Sequence, residues 1–237
     1  MRLTYLYNSG FVIENEQFMM ILDFFKDTKE AFVQQALTFF PGRIYVFASH
    51  WHPDHFNREI MRWKQKRADI RYVFSNDIRK KMVWMKFPDV VFLEKGQLWE
   101  DDMLRIKAFG STDVGISFLI EVEGKLIFHA GDLNNWHWNE ESTPKEIEAC
   151  ERDFLNELAF LSKTTTQLDL AMFPVDPRLG KDYMLGAKQF VERIQTKVFA
   201  PMHFGDNYDK AQAFRAYAQS FGCHFIGWKE KGETVEL

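Results

Sequence analysis

Residues 49–56 read SHWHPDHF, which puts three of the chain's seven histidines and an aspartate within six residues. The run follows RIYVFAS (43–49), whose apolar, β-branched and aromatic residues have the character of a buried strand. Any fold for this chain must therefore deliver titratable side chains to the C-terminal end of a core strand. Desolvating such groups is costly unless something binds them, and a metal ion is the simplest partner. In an extended segment residues two apart point the same way, so His50 and His52 can offer two imidazoles to one ion. Pro53 turns the chain, and Asp54 with His55 can then face a second point. That spacing suits a two-metal centre, whose ions typically lie about 3.5–4 Å apart. Imidazole nitrogen and carboxylate oxygen are donors zinc accepts, with manganese or iron as alternatives.

The rest of the chain alternates short strands with helices. Strands are predicted at 3–7, 11–15, 18–24, 43–49, 70–74, 89–93, 103–109, 115–121, 125–129, 169–174 and 197–201, with one or two more before 237. Helices are predicted after Asp27 and Thr28 up to the PG at 41–42, and over 57–67, 77–86, 143–162, 182–195 and 207–221. The start of the 143–162 helix is written most clearly: Thr143 caps it, Pro144 takes the first position and Glu146 completes a capping box. No low-complexity linker or repeat divides the sequence. The pattern predicts an α/β protein in which two mixed sheets pack together with helices outside, as a single domain over 1–237.

A dinuclear centre needs ligands from distant strand ends. LIFHAGDLN (126–134) ends an apolar strand and then offers Asp132, whose carboxylate could bridge two cations. KVFAPMHFGDN (197–207) has the same form and offers His203. The polar, aromatic NNWHWN (134–139) brings His137 close behind Asp132, between Trp136 and Trp138. Trp51 and Trp136 beside these residues suggest flat apolar walls for a substrate. In FPVDPRLGKDY (173–183), Arg178 is a candidate clamp for a phosphate or carboxylate.

HWHPDH resembles the HxHxDH signature of the metallo-β-lactamase superfamily, and HAGDLN and PMHFGD resemble its later Asp and His motifs. The opening LTYLYNSGFVIE…MMILDFF is similar to the start of its members, where a strand pair leads to an Asp near the site. The resemblance runs from residue 3 to about 206 and implies the four-layer αββα sandwich, with hydrolysis by a metal-bound hydroxide. The short PMHFGD ending is most similar to the ascorbate-phosphate lactonase-like and ribonuclease Z-like branches. By this resemblance His50 and His52 belong to a first metal position, Asp54, His55 and His203 to a second, and Asp132 bridges them. Two departures stand out. The family's further His falls here on Phe109, Gly110 or Ser111, and Asn8 stands where lactonase-like members often carry a His. His137 or Asp113 are the candidates to replace the first, with His137 preferred because imidazole matches the lost ligand. Asp54 is expected to orient the nucleophile and His137 to donate a proton to the leaving group.

The expected function is thus hydrolysis of a small anionic substrate, phosphorylated, phosphodiester or lactone, using one or two zinc ions. A formal net charge of −4 argues against nucleic acid as a partner, although an RNA or nucleotide phosphodiesterase is the alternative reading among enzymes. A non-catalytic metal-binding sensor with a decayed first position is the alternative outside them. No apolar run approaches the roughly 20 residues a membrane span needs, so no membrane partner and a cytoplasmic location are expected. Cys150 and Cys223 are far apart and form no metal-binding pair, and a homo-oligomer stays open.

Overall fold

The N-terminal apolar runs pair across a tight turn at Asn8 and Ser9. In the computed structural model, which describes residues 1–87 and 89–237, β1 (Arg2–Tyr7) runs antiparallel to β2 (Gly10–Glu14), and β2 antiparallel to β3 (Phe18–Leu22). The turn needs glycine at position 10: a Cβ there would sit 3.0 Å from the Tyr7 carbonyl oxygen. From β3 onward the sheet is parallel, through β4 (Arg43–Ala48), β5 (Arg71–Ser75) and β6 (Val90–Leu93). A second sheet starts as a meander of β7 (Leu98–Glu100), β8 (Arg105–Gly110), β9 (Ile116–Val122) and β10 (Lys125–His129). It too turns parallel, through β11 (Gln167–Pro174), β12 (Gln195–Met202) and β13 (His224–Phe225). The last strand, β14 (Thr234–Glu236), returns to pair antiparallel with β1.

The chain divides into two compact units, residues 1–93 with 228–237 and residues 94–227. Each holds one seven-stranded mixed sheet, in the orders β14-β1-β2-β3-β4-β5-β6 and β13-β12-β11-β10-β9-β8-β7. In the first unit, Val46, Ala48, Ile21 and Phe74 face a core closed by Val33 and Leu37 of helix α1 (Phe32–Phe39), Ile60 and Trp63 of a 3-10 helix (Arg58–Gln65), and Ile78 of α2 (Asn76–Lys81). Tyr45 and Phe47 on the opposite face of β4 are buried as well, which is why parallel β4 reads as an unbroken apolar run.

In the second unit phenylalanines form the core. Phe128, Phe173 and Phe199 on three adjacent strands meet Phe190 of α4 (Leu185–Arg193), Phe154 of α3 (Pro144–Ser162) and Phe214, which stands between α5 (Tyr208–Gln212) and α6 (Arg215–Ser220).

Capping chemistry follows the sequence closely. Thr143 and Glu146 form the reciprocal capping box, and both Asp27 and Thr28 accept amides of the first turn of α1. The departures are in helix extent. The segment predicted as a helix over 57–67 is a 3-10 helix, held by Asn57 accepting the Glu59 amide. α2 ends at Lys81 rather than 86, where Arg79, Lys80 and Lys81 meet the negative end of the helix dipole. The predicted 207–221 helix breaks at Ala213–Phe214, and β7 has no counterpart in the predicted strands. Among the described residues no helix is long and apolar enough to cross a membrane.

Phe74 is fully buried, with ring contacts to Phe56, Tyr72 and Phe92. Phe74→Ala is expected to lower the unfolding free energy by about 3–5 kcal/mol, measured by chemical denaturation.

Candidate functional site

In both units the polar side chains of interest sit just past the C-terminal ends of parallel strands. This is where α/β sheets generally place their chemistry.

In the first unit the organising group is Asp23, immediately after β3 and fully buried. Its Oδ1 accepts the Ser49 amide (2.7 Å), and its Oδ2 accepts the Ser49 hydroxyl (2.6 Å) and the Nδ1–H of His55 (2.6 Å). Ser49 gives its one proton to Asp23, so its oxygen accepts Nδ1–H of His50 at 2.9 Å. Both rings are thereby fixed as the tautomer whose Nε2 carries a lone pair. His50 Nε2 lies 3.0 Å from Nδ1 of His52, and His55 Nε2 lies 3.5 Å from Oδ2 of Asp54. Asn8, with positive φ (55°), reaches over to donate to that same Asp54 oxygen at 3.0 Å. Thus the departure at Asn8 has a local role, which is to hold Asp54. Trp51 donates its amide to Asp77 and turns its ring edge to His52. Burial pushes the Asp77 carboxyl up, against hydrogen bonds from Ser75 and the Trp51 amide that pull it down.

The second unit repeats the arrangement with other residues. His203, just past β12, donates Nδ1–H to the buried Asp176 beyond β11 (2.9 Å) and points Nε2 at Oδ1 of Asp132 (3.3 Å). Arg178 Nη2 stands 3.3 Å from the same Nδ1, but a nitrogen giving its proton to Asp176 cannot accept another, so the shorter contact decides the tautomer. Burial alone would raise the Asp176 carboxyl; hydrogen bonds and charge from His203 and Arg178 outweigh it and hold the group below the usual carboxylate range. Trp136 donates Nε1–H to the Asp132 carbonyl (2.8 Å) and sets its ring edge against His203. Thr112 clasps the loop that follows, accepting the Asn134 amide and donating to its carbonyl. Its neighbour Asp113 thereby brings a carboxylate oxygen within 4.8 Å of one from Asp132.

These sets suit a metal ion. His50 with His52, and Asp54 with His55, each place donor atoms within 4.8 Å of one another, as Asp113 and Asp132 do. Carboxylate-held imidazoles with the second nitrogen turned outward are the usual arrangement around bound metals. Backbone strain gathers at the same residues: Asp23 (φ 43°) and His203 (φ 63°) occupy the left-handed region that L-residues avoid.

Two expectations need correction. His137 is buried, with Nε2 donating to the Asp182 carbonyl (3.2 Å) and Nδ1 accepting the Asn139 amide (3.1 Å). Both nitrogens are engaged by loop backbone, unlike the outward-turned Nε2 of His55 and His203, whereas Asp113 stands with a carboxylate oxygen within 4.8 Å of Asp132. Arg178 is not an open clamp either: its Nε contacts both Asp176 oxygens (3.0 and 2.9 Å), so the guanidinium buttresses the partner of His203. Sequence reasoning missed the supporting roles of Asp23, Ser49, Asn8 and Asp176. The available signal was positional, since Asp23 and Asp176 follow buried strands just as Asp132 does.

No family model matches the chain. It is 25% identical to a UPF0173 metal-dependent hydrolase of Symbiobacterium thermophilum, over all of both chains. The metallo hydrolase Igni18 of Ignicoccus hospitalis superposes with a TM-score of 0.68 at 19% identity, covering 99% of this chain and 97% of that one. The metallo-β-lactamase fold protein YhfI of Bacillus subtilis gives 0.66 at 12% identity, covering 99% of each chain. The fold is therefore that of the metallo-β-lactamases. The curated relative, similar over its whole length, is a metal-dependent hydrolase, and the metallo hydrolase Igni18 shares the fold.

His137→Ala is expected to lower the thermal unfolding midpoint while leaving metal stoichiometry, read by elemental analysis, unchanged. A loss of metal would restore His137 to the ligand set.

Proposed function

We propose that residues 1–237 act as one hydrolase domain on a small anionic cytosolic substrate carrying a phosphate ester, phosphodiester or lactone. The proposed metal ligands are His50, His52, Asp54, His55, Asp132 and His203, for one or two zinc ions or, given the added oxygen of Asp113, manganese or iron. One observation carries the reading: His50, His55 and His203 each have Nδ1 tied off by a buried serine or aspartate, which leaves Nε2 as the donor atom. Three buried imidazoles fixed in one tautomer by separate partners have no structural purpose in a core that apolar residues would fill more favourably.

When bound, the metal lowers the pKa of water to about 7 and polarises the substrate oxygen. Asp54 has the task next to it. Its side chain is 35% exposed, so water and substrate can reach a carboxylate that Asn8 holds in place, and it orients the attacking water and takes its proton. Asp23 and Asp176 each hold an adjacent imidazole by its Nδ1–H, and Asp176 is kept below the usual carboxylate range by His203 and Arg178. Trp51 and Trp136 flank the ligands as apolar walls, whereas Arg178 acts through Asp176 and not on substrate.

Protein purified without chelator or metal-affinity resin is expected to hold one or two equivalents of metal per chain by elemental analysis. His55→Ala and His203→Ala should each reduce that content. Asp176→Asn keeps the shape of the site but should weaken metal affinity about tenfold to a hundredfold. Absence of bound metal after zinc and manganese have both been supplied would sink the hydrolase reading and favour a non-catalytic one.

A further inference from the structure

The first unit contains a cavity of about 350 Å³ next to the histidine run, within the range of small-molecule sites. Its walls are Phe25, Trp51, Pro53, Phe56 and Met82, with Arg58 at the rim. Trp51 and Pro53 lie within the HWHPDH segment itself, and the Trp51 ring touches His52. Asn57 braces the cavity: its side-chain amide donates to the Phe25 carbonyl at 2.9 Å, and its own backbone amide donates to the Phe24 carbonyl. The apolar surface is thus in place before any ligand arrives.

Exposed cations stand on the rings around it, while the nearby Asp77 is half-buried and accepts the Trp51 amide. Lys81 stands over the Trp51 ring (5.1 Å), Lys26 over the Phe25 ring (4.7 Å), and Arg58 over the ring of Trp84 (5.0 Å). All three cations are exposed, and none forms an ion pair with a carboxylate among the described residues. Elsewhere the molecule's lysines and arginines commonly do so, as Lys64 does with Asp89, Lys95 with Glu157 and Lys197 with Asp169. A larger cavity of about 540 Å³ on the 3-10 helix is a weaker candidate, because Glu59 shares its lining with the cations and no residue of the histidine run borders it.

We infer that the cavity beside Trp51 receives the flat apolar part of an organic anion, with Arg58, Lys81 and Lys26 receiving its charge. This rests on the hydrolase reading and narrows its substrate class to anions bearing a ring or a comparably broad apolar group. A flat ring stacks on Trp51 and Phe25 at little entropic cost, because those rings are already held. An anion at the rim meets guanidinium and ammonium groups that are in no ion pair among the described residues.

The probe is 2-naphthalenesulfonate, which cannot be hydrolysed, titrated calorimetrically into metal-supplied and chelator-treated protein. It should bind about tenfold or more tightly than ring-free methanesulfonate and than uncharged 2-naphthol. Arg58→Gln and Lys81→Gln replace exposed side chains and leave the fold intact; each should weaken binding about fivefold to tenfold. Equal binding of 2-naphthol, or affinities unmoved by both substitutions, overturns the inference. Metal content of the same samples separates the two readings. Protein that holds metal but shows no ring- and charge-dependent binding loses the cavity assignment and keeps the hydrolase; protein that binds the probe without holding metal does the reverse.

Discussion

The first unit is organised around one buried carboxylate. Asp23 has no exposed surface, and it accepts two hydrogen bonds from Ser49 and one from His55, all between 2.6 and 2.7 Å. An ionised group so deep is tolerated only when its lone pairs are satisfied, and those three donors do this. They also decide the chemistry, because orienting His55 directly and His50 through Ser49 sets which nitrogen each ring turns outward. The left-handed backbone at Asp23 is part of the same constraint: the chain must leave β3 abruptly for the carboxylate to reach β4's end.

The second unit reaches the same result without any sequence repeat. In each sheet one strand is antiparallel to its predecessor and parallel to its successor, β3 in the first and β10 in the second. A functional aspartate follows each of them, Asp23 and Asp132. Farther along, an aspartate past one parallel strand grips a histidine past the next, as Asp176 past β11 grips His203 past β12. From there on the parallel strands all end on the same edge, so the residues that follow them gather at their C-terminal ends. The resemblance between the units therefore follows from sheet topology, while the residues that exploit it differ.

That distinction explains what was legible in the sequence. Strand runs such as RIYVFAS, the capping box at Thr143 and the dense HWHPDH cluster announce themselves through local chemistry, and each is found where it was expected. Helix ends were harder to read, because whether residues 58–65 wind as 3-10 or α-helix is decided by packing of Ile60 and Trp63 rather than by propensity. The supporting aspartates are lone residues after strands, and an Asp in such a place is ordinarily a turn former. Only their spatial neighbours give them a role. His137 misled for the complementary reason: its sequence neighbourhood is that of a site residue, but backbone groups at Asp182 and Asn139 use both of its nitrogens.

Net charge and local charge answer different questions here. A long polyanion samples much of the surface it lies on, and a chain carrying a formal charge of −4 offers it no broad attraction. A small anion responds to what lies within roughly one Debye length, about 8 Å at physiological salt. At the cavity lined by Trp51, Phe25 and Arg58, Lys81 stands over the Trp51 ring and Lys26 over the Phe25 ring. Asp77 is also close, but it is half-buried, accepts the Trp51 amide, and has its carboxyl pushed up by desolvation, all of which blunt its repulsion. A chain with no broad attraction for a polyanion can therefore still present a cationic edge, beside its histidine cluster, of the size a small anion responds to. On the reading proposed above, it is this local charge, and not the fold, that would favour a small anion over a long one.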